Sequence, residues 1–329
     1  MSMQNSNSNL LKSRQFHRTK LQGGKTMIYL KMQRVLRVLL GFFLLSIVVC
    51  HSVYAGTEDK HSYLLEEDLV YGKGNDYELK LDLARPAREK RPIPALVFIH
   101  SGSWYTGSRT YFHTGIKEAA KRGYVAVSIA YRHARLDKNG KVINAFPAQI
   151  YDVKCAVRWL RANAAKYSID PDRIGTAGHG AGGHLALMLG LTTPSDGLEG
   201  ECGDLKYSSR VQAVVSLVGV TDFISWYHWG KYWPKINFLE GSPKNVPEVY
   251  KKASPVAYVR KNAPPILSIY GDLSPYVPTS QAELLDSMMK EKGASHTLIL
   301  KKNTGHRVHE LVDFSKDNPI WNFFDEHLK

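Results

Sequence analysis

The sequence predicts an α/β protein with a mostly parallel central sheet and helices on both faces. Three observations carry that reading. Short, almost wholly apolar runs such as Pro92–His100 and Tyr124–Tyr131 have the continuous pattern of strands covered on both sides. These runs alternate with segments of helical spacing, above all Pro147–Tyr167, where Ile150, Val153, Val157, Leu160 and Ala164 recur three or four apart. The Gly-rich stretch Arg173–Ala186 reads as a short buried strand that turns sharply into a helix of small residues. Strands alternating with helices imply parallel pairing through right-handed crossovers.

Taken in order, Tyr63–Tyr71 and Tyr77–Leu83 are expected to form a hairpin-like opening through Gly72–Asp76. The strand Pro92–His100 follows. The helix Tyr111–Arg122 comes next, with Gly123 where a C-terminal cap belongs, and then the strand Tyr124–Tyr131. The long helix 147–167 leads into the Gly-rich turn and a helix at Ala181–Leu191. Val211–Val218, Pro265–Tyr270 and His296–Lys301 read as strands, Pro278–Lys292 and His309–Leu328 as helices. The segment Phe223–Lys252, rich in Trp, Tyr and Pro, fits neither period; it is either a small cap over a pocket or a packed excursion at the sheet edge. No internal repeat or low-complexity linker divides residues 56–329, so one domain is expected there.

The formal net charge of +14 invites a nucleic-acid reading, but its distribution removes it. Eight of the 44 Lys and Arg fall in residues 1–55 beside no Asp or Glu, leaving 36 basic and 30 acidic residues, a net +6, in the remainder. No dense basic stripe with interleaved aromatics appears, so nucleic acid is not expected as a partner. Residues 1–55 instead read as a leader. Val38–Cys50 is uncharged, Arg34 and Arg37 precede it, and Val53-Tyr54-Ala55 is a small-x-small cleavage pattern. Met32 would start a leader of ordinary length. Export is therefore expected, with membrane attachment only if the leader stays uncleaved. Cys155 reads as a small core residue and Cys202 as a loop residue. A disulfide between them is open in an oxidising compartment, but their spacing does not argue for it. The thirteen His show no ligand spacing, so neither a metal nor another cofactor is expected.

Gly178-His179-Gly180-Ala181-Gly182 has the layout of a nucleophile elbow, G-x-S-x-G, in which glycines permit a strained turn that lifts the central side chain. The central residue here is Gly180. A phosphate cradle is the competing reading of such a turn, but neither G-x-G-x-x-G nor G-x-x-x-x-G-K-[ST] is present. Other motifs fall around it in order: His100-Ser101-Gly102-Ser103-Trp104, Ala145-Phe146-Pro147-Ala148 with Asp152, Trp159 and Leu160, Ile169-Asp170-Pro171-Asp172-Arg173-Ile174, Ala253-Ser254-Pro255, and Gly271-Asp272 with Val277-Pro278.

Through these motifs the chain from about Tyr63 onward resembles the α/β-hydrolase superfamily. The similarity is greatest to bacterial carboxylesterases akin to hormone-sensitive lipase and to feruloyl-esterase-like proteins. The resemblance implies an elbow serine, a histidine that takes its proton, an acid that orients the histidine, and backbone N–H groups that hold the oxyanion. His306, in Asn303-Thr304-Gly305-His306, falls on the histidine position. Gly180 stands at the nucleophile position and Ser274 at the acid position. Asp222 and Asp272 are candidate substitute acids, and the implied oxyanion donors are the N–H groups of Gly102 or Ser103 and of Ala181. Ser101 replaces a family glycine. Ser101, Ser103, Ser274 and His179 can each be weighed as a replacement nucleophile, though each reads more simply as structural or solvated. The implied ligand is a small ester or carboxylate. Three readings follow: an esterase-lineage protein impaired in acyl-enzyme chemistry, an active hydrolase with a displaced nucleophile or a His306-activated water, and a scaffold protein using the fold for assembly.

Overall fold

The computed structural model describes residues 62–75, 77–89, 91–230, 237–308 and 314–329; the leader expected over residues 1–55 lies outside them. Strand β1 (Tyr63–Gly74) pairs antiparallel with β2 (Tyr77–Pro86). β3 (Ile93–Ile99), helix α1 (His113–Lys121) and β4 (Val125–Ile129) follow. A short ribbon, β5 (Arg135–Leu136) and β6 (Val142–Ile143), precedes helix α2 (Ala148–Ala162) and the single turn α3 (Ala164–Tyr167). Then come β7 (Ile169–His179), α4 (Ala181–Leu191), β8 (Ala213–Leu217), α5 (Phe223–Trp229) and α6 (Pro247–Ala253). The chain closes with β9 (Ile266–Gly271), α7 (Thr279–Glu291), β10 (His296–Lys301) and α8 (Pro319–Leu328).

Eight strands form one sheet in the order β1-β2-β4-β3-β7-β8-β9-β10. β2 meets β4 antiparallel, and every later neighbour in the sheet is parallel. The central strands β4, β8 and β9 are buried at every residue, as continuous apolar runs require when helices cover both faces. α1 packs on β2 and β4, α2 on β1, α4 on β7 and β8, and α8 on β7 and β8. The parallel strands therefore deliver their carboxyl ends to one edge of the sheet, and the loops that leave those ends carry Ser101, Gly180, Ser274 and His306.

Strand β1 runs on to Gly74 and α1 starts at His113 rather than Tyr111, and two helix boundaries move further. The helix read over 147–167 breaks at Asn163, whose side-chain amide donates to Trp159 O at 2.9 Å; a short polar side chain at a helix end satisfies the backbone locally and stops propagation. The closing helix begins at Pro319 rather than His309. Asn318 caps it by accepting from Ile320 N–H at 2.9 Å and Trp321 N–H at 3.3 Å, and Pro319 occupies the first turn, where its missing donor costs nothing. Residues 309–313 lie outside the described part.

The described aromatics of the segment 223–252 are packed, residues 231–236 lying outside the described part. Phe223, Trp226, Phe238 and Tyr250 are buried, and Trp104 stacks on Phe238 with centroids 4.5 Å apart and meets Phe223 and Trp226 edge-on or tilted. Trp226 also lines the pocket described below. Cys155 and Cys202 are joined in a disulfide with Cα atoms 5.2 Å apart. Buried Asp152 of α2 accepts from the Arg132 guanidinium at 2.7 Å and from Arg132 N–H at 2.8 Å, which ties the segment after β4 to α2. Among the described residues, no helix is long and apolar enough to cross a membrane.

Candidate active site

The elbow keeps its shape without its side chain. Gly180 has φ 54° and ψ −114°, a conformation that L residues adopt only under strain, and it is pinned from both sides: its N–H donates to Leu217 O at 2.8 Å and its carbonyl accepts from His184 N–H at 3.0 Å. The close approach behind the turn is equally demanding. A Cβ on Gly182 would lie 2.0 Å from Ile99 O, so any side chain there would push α4 off β3.

A Cβ on Gly180 would fall 2.5 Å from Ser101 Oγ and 3.4 Å from His306 Nε2. The side chain of Ser101 thus reaches into the volume that an elbow serine would take. Sequence reasoning noted that Ser101 stands where the family has glycine. It missed that the new side chain and the missing one share a place; the signal was the paired exchange of Gly for Ser at one position and Ser for Gly at the other.

His306 lies on the loop after β10. Ser274 Oγ is 3.1 Å from its Nδ1, and Val277 N–H donates to the same Oγ at 3.2 Å. Ser274 is therefore at the acid position in space as well as in sequence. Asp272 holds the loop instead: its Oδ1 accepts from Thr304 N–H at 3.1 Å, and its own N–H donates to Lys301 O. Asp222 is engaged as the N-cap of α5, accepting from Ser225 N–H at 2.8 Å. The structure therefore gives both candidate substitute acids backbone duties, and the hydrogen-bonding partner it places at His306 Nδ1 is Ser274.

His179 points off the apex. Its Nε2–H donates to His306 O at 2.9 Å, which leaves Nδ1 to accept from Tyr111 O–H at 2.9 Å, so this pair clamps the backbone of the histidine loop. Tyr276 meets the His306 ring edge-on at 4.9 Å. His184 is buried between Trp104 and α6: Trp104 Nε1–H donates to its Nδ1 at 3.0 Å, and its Nε2–H donates to Ala253 O at 2.8 Å. Burial pulls its pKa down to about 4, so it stays neutral and keeps this tautomer. His100, stacked on Tyr131 at 4.2 Å, is held down to about 4 for the same reason, while its Nδ1–H donates to Ser101 O at 2.6 Å.

The residues of the expected oxyanion donors line one pocket. Gly102, Ser103 and Trp104 all have positive φ (126°, 50° and 63°), a tight turn closed by Tyr105 and Thr106 N–H donating to Gly102 O. Ala181 opens α4, so its N–H has no partner within the helix. Gly102, Ser103 and Ala181 line one cavity of 280 Å³ together with Ser101, Gly180 and His306; Trp226, Tyr276, Val220 and Val277 supply the apolar part of the wall. Helix-start and turn backbone beside a histidine, in a small pocket of mixed polar and apolar lining, suit an ester or carboxylate.

A second polar cluster, invisible in the sequence, lies elsewhere. The ligating atoms of Glu67, Asp82 and His113 lie within 4.8 Å of one another, but Asp82 is already paired: Arg109 Nε–H donates to its Oδ1 at 2.8 Å and His113 Nε2 lies 2.7 Å from its Oδ2. Burial raises the Asp82 carboxyl, and the hydrogen bonds from His113 and Arg109 more than offset it, leaving a paired structural carboxylate.

The strand order, the elbow and the converging site define an α/β-hydrolase of the carboxylesterase type. The chain belongs to the BD-FAE family, whose model matches residues 81–289. It is 31% identical over 269 residues to esterase LipC of Mycobacterium tuberculosis, covering 78% of this chain and 63% of that protein. To the probable carboxylic ester hydrolase LipM of the same organism it is 33% identical over 222 residues, 64% of this chain and 48% of the relative. The chain thus spans less than two thirds of the length of these curated relatives. Among solved structures, a truncated carbohydrate esterase from gut microbiota superposes with a TM-score of 0.69 at 29% identity, covering 82% of this chain and 98% of the other. Butyrate-bound esterase 2 of Thermogutta terrifontis superposes with a TM-score of 0.60 at 26% identity, covering 72% and 83%.

Proposed function

We propose that this protein is an exported member of the esterase lineage that binds a small ester or carboxylate and turns it over far more slowly than an elbow-serine esterase. The observation that carries the reading is Gly180 at a fully formed elbow that faces an intact pocket. Without a hydroxyl at the apex the usual acyl-enzyme cannot form. Loss of such a nucleophile costs about a millionfold in turnover, while oxyanion stabilisation and binding alone retain roughly a thousandfold over water. The pocket volume suits a short acyl chain, and the butyrate held by the Thermogutta esterase supports that size class. The basic, apolar N-terminal leader and the Cys155–Cys202 disulfide together support export to an oxidising compartment.

Titration of the full chain with butyrate, followed by NMR or calorimetry, tests binding, and p-nitrophenyl butyrate hydrolysis tests rate. The expected result is saturable binding with kcat well under about 1 s⁻¹, the low end for working enzymes. Hydrolysis at ordinary esterase rates would overturn the impaired reading, and failure to bind would overturn the pocket assignment. Fractionation of expressing cells tests export; retention of the unprocessed chain in the cytoplasm would refute it.

A further inference from the structure

We infer that Ser101 is the nucleophile through which this site still forms an acyl-enzyme. The inference rests on the ester-binding reading of the same pocket and adds the reacting atom. A Cβ on Gly180 would lie 2.5 Å from Ser101 Oγ and 3.4 Å from His306 Nε2, so hydroxyl and imidazole border the same small volume beside the elbow glycine. Ser101 also lines the cavity with Gly102, Ser103 and Ala181, so an acyl carbon brought to its Oγ stands beside the expected oxyanion donors. The other hydroxyls are placed worse. Ser274 Oγ is committed to Nδ1, the far side of the imidazole from Nε2, and Val277 N–H donates to it. Substrate would close the Ser101 Oγ to His306 Nε2 distance, as nucleophile-base contacts commonly tighten only with substrate bound.

The chemistry balances without any outside reagent. Ser101 Oγ–H gives its proton to His306 Nε2 as the Oγ–C bond forms, and the carbonyl oxygen becomes an oxyanion held by backbone N–H groups. Collapse expels the alcohol, which takes the proton from His306. Water, deprotonated by His306, then attacks the acyl-serine, releasing the carboxylic acid and returning the proton to Ser101.

The test uses the full chain and paraoxon, which phosphorylates the related Thermogutta esterase 2. Attack would form an O–P bond to serine and release p-nitrophenolate, so intact mass and peptide mapping read the site directly. The expected result is one diethylphosphoryl group on Ser101, lost in Ser101→Ala and in Ser101→Gly, which restores the family residue, and formed at least tenfold more slowly in His306→Ala. Label on Ser103 or Ser274, or unchanged p-nitrophenyl butyrate turnover in Ser101→Gly, would overturn the assignment. Binding of butyrate with no label on the parent would overturn Ser101 alone and leave the ester-binding reading standing; loss of both overturns both. Ser101→Cys, acylated by p-nitrophenyl butyrate to a thioester of the expected mass, would separate a chemical role from a merely structural one.

Discussion

Ser274 Oγ stands 3.1 Å from His306 Nδ1 while accepting from Val277 N–H, and a hydroxyl in this place does not by itself set the tautomer of His306. A carboxylate can only accept, so it would fix the proton on Nδ1 and present Nε2 as the base. A hydroxyl can accept from Nδ1–H or donate to bare Nδ1, and in the second arrangement Nε2 carries the proton and cannot take another. The Ser274 hydroxyl also brings no negative charge to steady an imidazolium.

Ser274→Asp should therefore raise the pKa of His306, because a carboxylate at hydrogen-bond distance favours the charged ring. NMR titration of the His306 ring in parent and variant measures the shift, and the pH at which hydrolysis rises should move up with it. An unchanged titration would show that the acid position no longer communicates with the imidazole.

Rebuilding the elbow serine alone should fail. In Gly180→Ser the new Cβ would meet Ser101 Oγ at 2.5 Å, far inside contact distance, at a backbone conformation that already costs an L residue about 1–3 kcal/mol. The variant should show a lower thermal midpoint and little gain in p-nitrophenyl butyrate turnover. Adding Ser101→Gly should recover only the part of the midpoint lost to that contact, and the triple variant with Ser274→Asp should exceed the parent rate by at least about a thousandfold.

Acid should destabilise the protein in a defined window. The His184 and His100 imidazoles are depressed to about 4 by burial, against 6.5 when exposed. Above pH 6.5 both states are neutral and the groups contribute no pH dependence. As pH falls from 6.5 to about 4 the unfolded chain takes up protons that the folded chain refuses, so stability drops by up to about 3 kcal/mol per imidazole and then levels off. Urea midpoints measured at fixed ionic strength from about pH 7.5 down to about pH 4 should fall in that direction; His184→Gln should remove part of the slope.

Reduction should weaken the fold without touching the pocket. The Cys155–Cys202 bridge spans a sequence separation of 47 residues, and its cross-link should contribute about 4 kcal/mol by restricting the unfolded chain. Urea unfolding with and without reductant measures the difference, and butyrate affinity should stay constant in the folded baseline.

Much of this was readable from residues alone because the strongest signals are local. Continuous apolar runs located the central strands, and the G-x-G-x-G turn and the motifs around it located the loops at the sheet edge. Helix ends were read less well, since Asn163 and Asn318 act through single hydrogen bonds that periodicity does not register. The disulfide joins α2 to a loop, and spacing carries no information about such a meeting. The duties of Asp222 and Asp272 were open for the same reason: a carboxylate in the right motif can serve a helix cap or a loop as readily as an imidazole. Ser101 is the sharpest case. Its chemistry depends on an absent atom at position 180, and only three dimensions show that the two positions compete for one volume.

The hydrogen bond from Thr304 N–H to Asp272 has a consequence for how such a site can change over time. Together with the His179 grip on the His306 carbonyl, it means that the imidazole is aimed by groups other than its charge partner. Aim and ionisation are thus separate inheritances in this scaffold. The carboxylate could be exchanged for a hydroxyl while the ring stayed on target, leaving a lineage free to retire, relocate or restore its chemistry without first rebuilding the loop that points it.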